Sequence, residues 1–193
     1  MRLPEVERGD TLRHRMLIAM ISRLSGLRLP DAARVAFYRN DFAGPTLGTW
    51  TQRTMRGPSG WSVSERELMA ASVATWNSCG FCIGAHGAVA VRGMDKDVVD
   101  AALSDYRTAP ISDKLKAALA FIEKLTRTPD DVTADDARDA LRAGVSLDEL
   151  RDAAAVAALF ATITRYANAL DFVIPSPADF DKAAGMLLRR GYA

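Results

Sequence analysis

Apolar residues recur along this chain every three or four positions, and nowhere every second one. From Ser112 onward they fall at Leu115, Ala118, Leu119, Ile122 and Leu125, one face of an amphipathic helix. Ser146, with Glu149 three residues on, opens the longest such stretch, which runs to about Leu170 before Pro175 and Pro177 break it. Its centre, Ala153 to Ile163, is apolar around most of the helix circumference, the pattern of a helix covered on all sides. No segment alternates apolar and polar residues long enough for a strand, and no Asn-Gly or Asp-Gly hairpin turn occurs.

Caps and breakers divide the remainder. Pro30 and Asp31 precede a helical run from Ala32 to Asn40, and Gly44-Pro45 leads into a short helix over Thr46 to Met55. Arg56 to Gly60 is a Gly/Pro loop, after which Ser62 with Glu65 has capping-box spacing. A helix ends near Trp76 or Asn77, and Ser78 is a good N-cap for the next one, which Gly93 terminates. Asp95, Thr133 with Asp136, and a last run from Ala178 to Arg190 supply further helices, and Gly144 sits where a C-terminal glycine belongs. These signals predict an all-α fold of about eight helices in one domain, residues 1–193.

Composition narrows the function. With 49% hydrophobic and 25% charged residues, the chain reads as an ordinary globular protein. Its formal net charge of +1, without a basic stripe, argues against a nucleic-acid partner. No apolar run reaches the ~18 residues of a membrane span. Glu5, Glu7 and Asp10 stand where an export signal would be basic and then apolar, so the expected location is the cytoplasm.

The chemistry gathers at the two cysteines, Cys79 and Cys82. Such a pair makes no disulfide framework, and in a reducing compartment it asks for redox or metal chemistry. In the first turn of a helix, free N–H groups and the helix dipole favour a thiolate. His86 follows Cys82 by four residues and Cys79 by seven, so the three side chains share one helix face. A thiolate there can attack a peroxide or a disulfide, its neighbour can close an intramolecular disulfide, and His86 can carry the proton. Glu65 and Glu67, on the preceding helix, are the carboxylates that can tune His86; helix geometry alone does not choose between them. Gly80, Gly84 and Gly87 keep the surface small, as a substrate would require. Zinc would need two further ligands, which only His86 and a carboxylate can supply. Two inert buried cysteines are the remaining alternative.

Glu67, Cys79-Gly80-Phe81-Cys82 and His86 fit the pattern E-x11-C-x2-C-x3-H. With Trp61 to Arg66, Asn77 and Asn168 to Asp171, the pattern resembles the alkylhydroperoxidase D-like, carboxymuconolactone decarboxylase superfamily, most strongly over residues 56–93. The resemblance implies an all-helical homo-oligomer (dimer, trimer or hexamer) and a catalytic set of Glu67, Cys79, Cys82 and His86, with no bound cofactor or metal. It implies that Cys82 attacks a hydroperoxide substrate, that Cys79 closes the disulfide, and that Glu67 and His86 relay protons to Cys82. The reductant it implies is a dithiol, in the best-known members a lipoylated protein, and a peroxiredoxin can be reduced in turn. The alternatives are a decarboxylase-like enzyme acting on a small lactone acid, a branch that lacks the cysteine pair, and a redox-inactive zinc-binding or interaction protein. Residues 1–56 exceed what the motif needs and are free to shape a pocket or an interface. The aromatics Phe37, Tyr38, Phe42 and Trp50 are candidates for cover by another subunit.

Overall fold

The computed structural model of the chain describes residues 1–38 and 44–192. Eleven α-helices run through those residues, with no strand among them. They are α1 (Pro4–Arg8), α2 (Leu12–Ser25), α3 (Asp31–Phe37), α4 (Pro45–Arg56), α5 (Val63–Trp76), α6 (Gly80–Ala90), α7 (Lys96–Asp105), α8 (Asp113–Arg127), α9 (Ala134–Arg142), α10 (Leu147–Leu170) and α11 (Pro177–Arg190).

Most helices from α5 onward start where a side chain satisfies their first N–H groups. Ser62, Asp95, Ser112, Ser146 and Ser176 each accept a backbone N–H as N-cap, and Ser62/Glu65, Thr133/Asp136 and Ser146/Glu149 form reciprocal capping boxes. The two helices that no sequence signal announces, α1 and α2, lie at the N-terminus. There Thr11 caps α2 by accepting from His14 N–H at 3.2 Å, and Gly26 ends it at φ +64°. The helix expected over Ala32 to Asn40 is α3 as far as Phe37; Asn40 and Phe42 lie outside the described residues.

The centre of the bundle is α5, not α10. Every residue of α5 from Arg66 to Ala74 is buried, and the helix packs on α6, α8 and α10. By contrast α10 buries one stripe, including Leu150, Ala153, Val156, Phe160, Thr164 and Ala167, and leaves Ala158 exposed. Its apolar circumference is largely alanine, which costs little to leave wet, so the all-round pattern overstates its cover. By length and composition α10 could cross a membrane, yet its Leu159 and Phe160 are fully buried in the helical core. Burying a side chain like Phe160 contributes about 1.5–3 kcal/mol.

Buried Arg66 also positions the site. Its guanidinium donates to the Thr54 carbonyl at 3.0 Å and the Gly57 carbonyl at 2.9 Å, tying the last turn of α4 to the start of α5. That places Arg56 against α5. On the outside, α2 exposes Leu12, Met16, Met20 and Leu24, four residues apart along one stripe. Among the described aromatics, Phe37 and Tyr38 are half-buried and Trp50 is exposed.

Candidate active site

The junction of α5 and α6 is a single left-handed residue. Ser78 has φ +54°, its N–H reaches the Thr75 carbonyl, and Cys79 N–H reaches back to the Ala74 carbonyl at 2.9 Å. This is a Schellman-like ending, usually closed by glycine. A serine there costs roughly 1–2 kcal/mol of backbone strain. Ser78 therefore ends one helix rather than capping the next, and Cys79 is itself the N-cap of α6. Two side chains brace the turn against α10. Asn168 Nδ2 donates to the Asn77 carbonyl at 3.0 Å, and Asn77 Nδ2 donates to Thr164 Oγ1 at 3.0 Å.

Cys79 and Cys82 are free thiols, each 1% exposed. The Cys82 S–H hydrogen bond to Cys79, opposed by burial and aided by the Cys82 and Phe81 N–H groups and the nearby His86, lowers the Cys79 pKa to about 7. Cys82, as the donor and in a buried position, is pushed well up. The lower pKa thus belongs to Cys79, whereas the resemblance assigns the attacking role to Cys82.

His86, one helical turn beyond Cys82, is buried, and its Nδ1 lies 2.6 Å from Glu67 Oε2. Glu67 is fully buried. Its other oxygen, Oε1, accepts from Arg56 Nη1 at 2.7 Å and from Tyr192 OH at 2.8 Å. Burial pushes the carboxyl up, but His86 and Arg56 outweigh it and hold Glu67 below its ordinary value. An ionised carboxylate only accepts hydrogen bonds, so the proton of a neutral His86 sits on Nδ1 and Nε2 is left as the base. Among the described residues no hydrogen bond joins the imidazole to either sulfur, so transfer between them needs a small approach or one water. Glu65 caps α5 through the Ser62 N–H at 2.8 Å and takes no part in this cluster.

Two members of the cluster are invisible to sequence reasoning. The Gly/Pro pattern places Arg56 in a loop, but it is the last residue of α4, and its guanidinium stacks 4.8 Å from the Tyr192 ring. Tyr192, beyond α11, brings its hydroxyl within 3.3 Å of His86 Nδ1. Its N–H is held by Gln52 Oε1 at 2.7 Å. Phe160 of α10 closes the other side of the imidazole, edge to face at 4.5 Å. A helical period reports which face is buried, not which distant residue meets it, so neither Tyr192 nor Phe160 carries a local signal.

The glycines at 80 and 84 do not leave room for a substrate. A Cβ at Gly84 would collide with the Phe180 ring of α11, and one at Gly80 would lie 2.8 Å from Ile174 Cδ1. An open cleft of about 280 Å³ lies instead beside Cys79, between the start of α6 and the segment after α10. Cys79, Phe81, Asn168, Asp171, Phe172 and Ile174 border it, and Cys82 does not. No group of three His, Cys, Asp or Glu side chains among the described residues converges as metal ligands.

Residues 46–124, which hold Arg56, Glu67, both cysteines and His86, match the model of the carboxymuconolactone decarboxylase family. Over those residues the chain is similar to the carboxymuconolactone decarboxylase family, in keeping with the superfamily resemblance of its E-x11-C-x2-C-x3-H pattern. The superfamily match stops within α8, so Tyr192, Phe160 and the cleft wall after α10 lie beyond it. The whole fold recurs in an uncharacterized peroxidase-related protein from Silicibacter sp. TM1040, 21% identical, with a TM-score of 0.78 over 93% of each chain. It also recurs in an alkylhydroperoxidase AhpD core, an uncharacterized peroxidase-related protein from Ralstonia eutropha JMP134, 23% identical, with a TM-score of 0.76 over 93% of this chain and 94% of that one. A third structure with this fold is the debrominase Bmp8, 19% identical, with a TM-score of 0.70 over 91% of this chain and 94% of that one. No curated protein matches the sequence.

Proposed function

We propose that the protein is a thiol-dependent peroxidase and disulfide reductase that uses the Cys79–Cys82 pair. The observation carrying this reading is the buried ionised Glu67 on His86 Nδ1, which leaves a base one helical turn from a free dithiol. A pair of inert core cysteines has no use for such a base.

In the proposed reaction, one cysteine thiolate attacks the terminal peroxide oxygen. The O–O bond breaks, the alkoxide takes a proton, and an alcohol leaves. The resulting sulfenic acid is attacked by the second sulfur, whose proton passes to His86. Water leaves and the Cys79–Cys82 disulfide remains, the pair having lost two electrons. An external dithiol returns those electrons and becomes a disulfide itself. A lipoylated protein can supply that dithiol, and a disulfide-bearing peroxiredoxin can draw on the reduced pair. The working form is a cytoplasmic homo-oligomer, and the exposed Leu12, Met16, Met20 and Leu24 stripe of α2 supports an interface there in preference to the aromatics.

The test is turnover of an organic hydroperoxide with an excess of a small dithiol, alongside mass analysis of the cysteines. The expected result is steady consumption of peroxide and reversible loss of two hydrogens from the pair. Absence of turnover, with both thiols still free after peroxide, overturns the reading. Activity on a carboxylated lactone that survives substitution of both cysteines would replace it with the decarboxylase alternative.

A further inference from the structure

Which sulfur meets the substrate is a question inside the redox reading, and its answer rests on that reading. The cleft beside the N-terminus of α6 bears on it. Its border contains Cys79 and omits Cys82. Its two walls are helix ends, those of α5 and α10, and each ends in a left-handed residue that is not glycine: Ser78 and Asp171, both at φ +54°. These are the two such residues in the described chain, and both line this cleft. The backbone strain of the described chain is therefore concentrated around one opening, where strained residues commonly mark function. The walls are cross-braced by Asn168 on the Asn77 carbonyl, so the opening is held in shape rather than left loose.

We infer that Cys79 is the sulfur that attacks an incoming substrate through this cleft, that Cys82 resolves the product, and that the substrate is a slender, uncharged or cationic organic disulfide or hydroperoxide. The order is the reverse of the one the superfamily resemblance implies. The substrate class comes from the lining. Phe81, Phe172 and Ile174 offer an apolar contact, Asn168 a hydrogen-bonding amide, and Asp171 the one ionisable side chain besides the cysteine. With an acid and no base on the wall, an anionic substrate is repelled. The Ile174 side chain lies over Gly80, and at 62% exposed it can swing aside without leaving a packed core.

With a disulfide substrate, atoms and electrons balance over two steps. The Cys79 thiolate attacks one sulfur of R–S–S–R, forming Cys79–S–S–R and releasing a thiolate that takes a proton. Cys82 then gives its proton to His86 and attacks the Cys79 sulfur. The second R–SH leaves with that proton, and Cys79–Cys82 is the oxidised product. Two electrons have passed from the pair to the substrate.

The experiment uses full-length Cys79→Ser and Cys82→Ser proteins, whose serines keep the hydroxyl as a hydrogen-bond donor. Each is mixed at pH 7 with excess 2-hydroxyethyl disulfide (neutral), cystamine (cationic) or dithiodipropionate (anionic), and the mixed disulfide is tracked by intact mass. Cys82→Ser, which keeps Cys79, should react roughly tenfold or more faster than Cys79→Ser, given the higher thiolate fraction at Cys79 less its weaker nucleophilicity. The neutral and cationic probes should outrun the anionic one. Ile174→Ala in the Cys82→Ser background should speed the reaction further. Faster reaction of the Cys79→Ser protein, or preference for the anionic probe, overturns the inference while leaving the redox reading intact. If neither these probes nor an organic hydroperoxide oxidises the unsubstituted pair, the redox reading itself falls. Because a serine variant can misfold, brief iodoacetamide labelling of the unsubstituted protein with subsequent peptide mapping gives a second answer. Cys79 should be labelled first, and labelling of Cys82 first overturns the assignment.

Discussion

The two ends of the first turn of α6 meet different surroundings. Beyond Cys82 lies a closed polar cluster of His86, Glu67, Arg56 and Tyr192, drawn from α6, α5, α4 and the residues after α11. Beside Cys79 lies an open cleft whose walls are the strained ends of two helices. In the proposed reaction, proton handling is thus kept in a dry interior where charges act strongly, while the substrate side can vary without disturbing it. Because the dithiol spans both, each side can be broken separately.

The largest effect should come from the closed side. Glu67→Gln keeps the shape and removes the charge, and stopped-flow measurement of disulfide formation should show a loss of about 10²–10⁴-fold, the usual worth of general base catalysis. His86→Ala should fall in the same range, and the double variant should lose little more, because groups acting as a unit are not additive. Glu65→Gln, confined to a cap, should leave the rate unchanged.

Phe160→Ala removes the ring that closes one face of His86 and empties a fully buried site. Urea denaturation should register a cost of about 3–5 kcal/mol. A comparable loss from any residue lining the cleft would blur the contrast between the two sides.

The dithiol itself should show a coupled titration. Alkylation of Cys79 in the unsubstituted protein should have a midpoint of about 7. Cys82→Ala removes the S–H that favours the thiolate, so the midpoint should rise toward the reference value of about 8.5. A midpoint unmoved by that change would mean that the helix start alone activates Cys79.

The smallest effect belongs to Tyr192→Phe. It takes one donor from the Glu67 carboxylate and leaves the other two, so the expected cost is about 1.5–3 kcal/mol at neutral pH, typical of a hydrogen bond to a charged group. The sign with pH is fixed by the lowered Glu67 pKa. Its stabilising contribution is complete above the unfolded value of about 4.3 and fades as pH falls through the lower folded value. The gap between Tyr192→Phe and the parent protein should close in strongly acidic solution, as read by urea midpoints across pH.

What the sequence discloses divides along the same line. Helix starts are local events, and Ser62, Asp95, Ser112 and Ser146 announce theirs because a side-chain oxygen and an N–H two or three residues on suffice. The E-x11-C-x2-C-x3-H spacing is equally local, since two adjacent helices and their junction carry all four residues. Ser78 misleads because a serine in the left-handed region looks like any other serine until its φ is known. Gly80 and Gly84 mislead because the side chain that fills the space beside a glycine comes from elsewhere in the chain. Tyr192 lies 125 residues from the carboxylate it touches, and nothing in its own neighbourhood points there. Helices α1 and α2 escape notice because exposed Leu12, Met16, Met20 and Leu24 obscure which face is inward.

The contact between Gly84 and Phe180 makes one methyl group audible at a distance. An alanine at 84 would displace the Phe180 ring and with it the seat of α11 on α6. Tyr192 rides on the end of that helix, so its hydroxyl would be drawn off Glu67. A change that adds no charge and touches no reacting atom would then be heard at the carboxylate that holds His86 Nδ1. Among natural variants of this chain, position 84 and the identity of residue 180 should drift together or not at all.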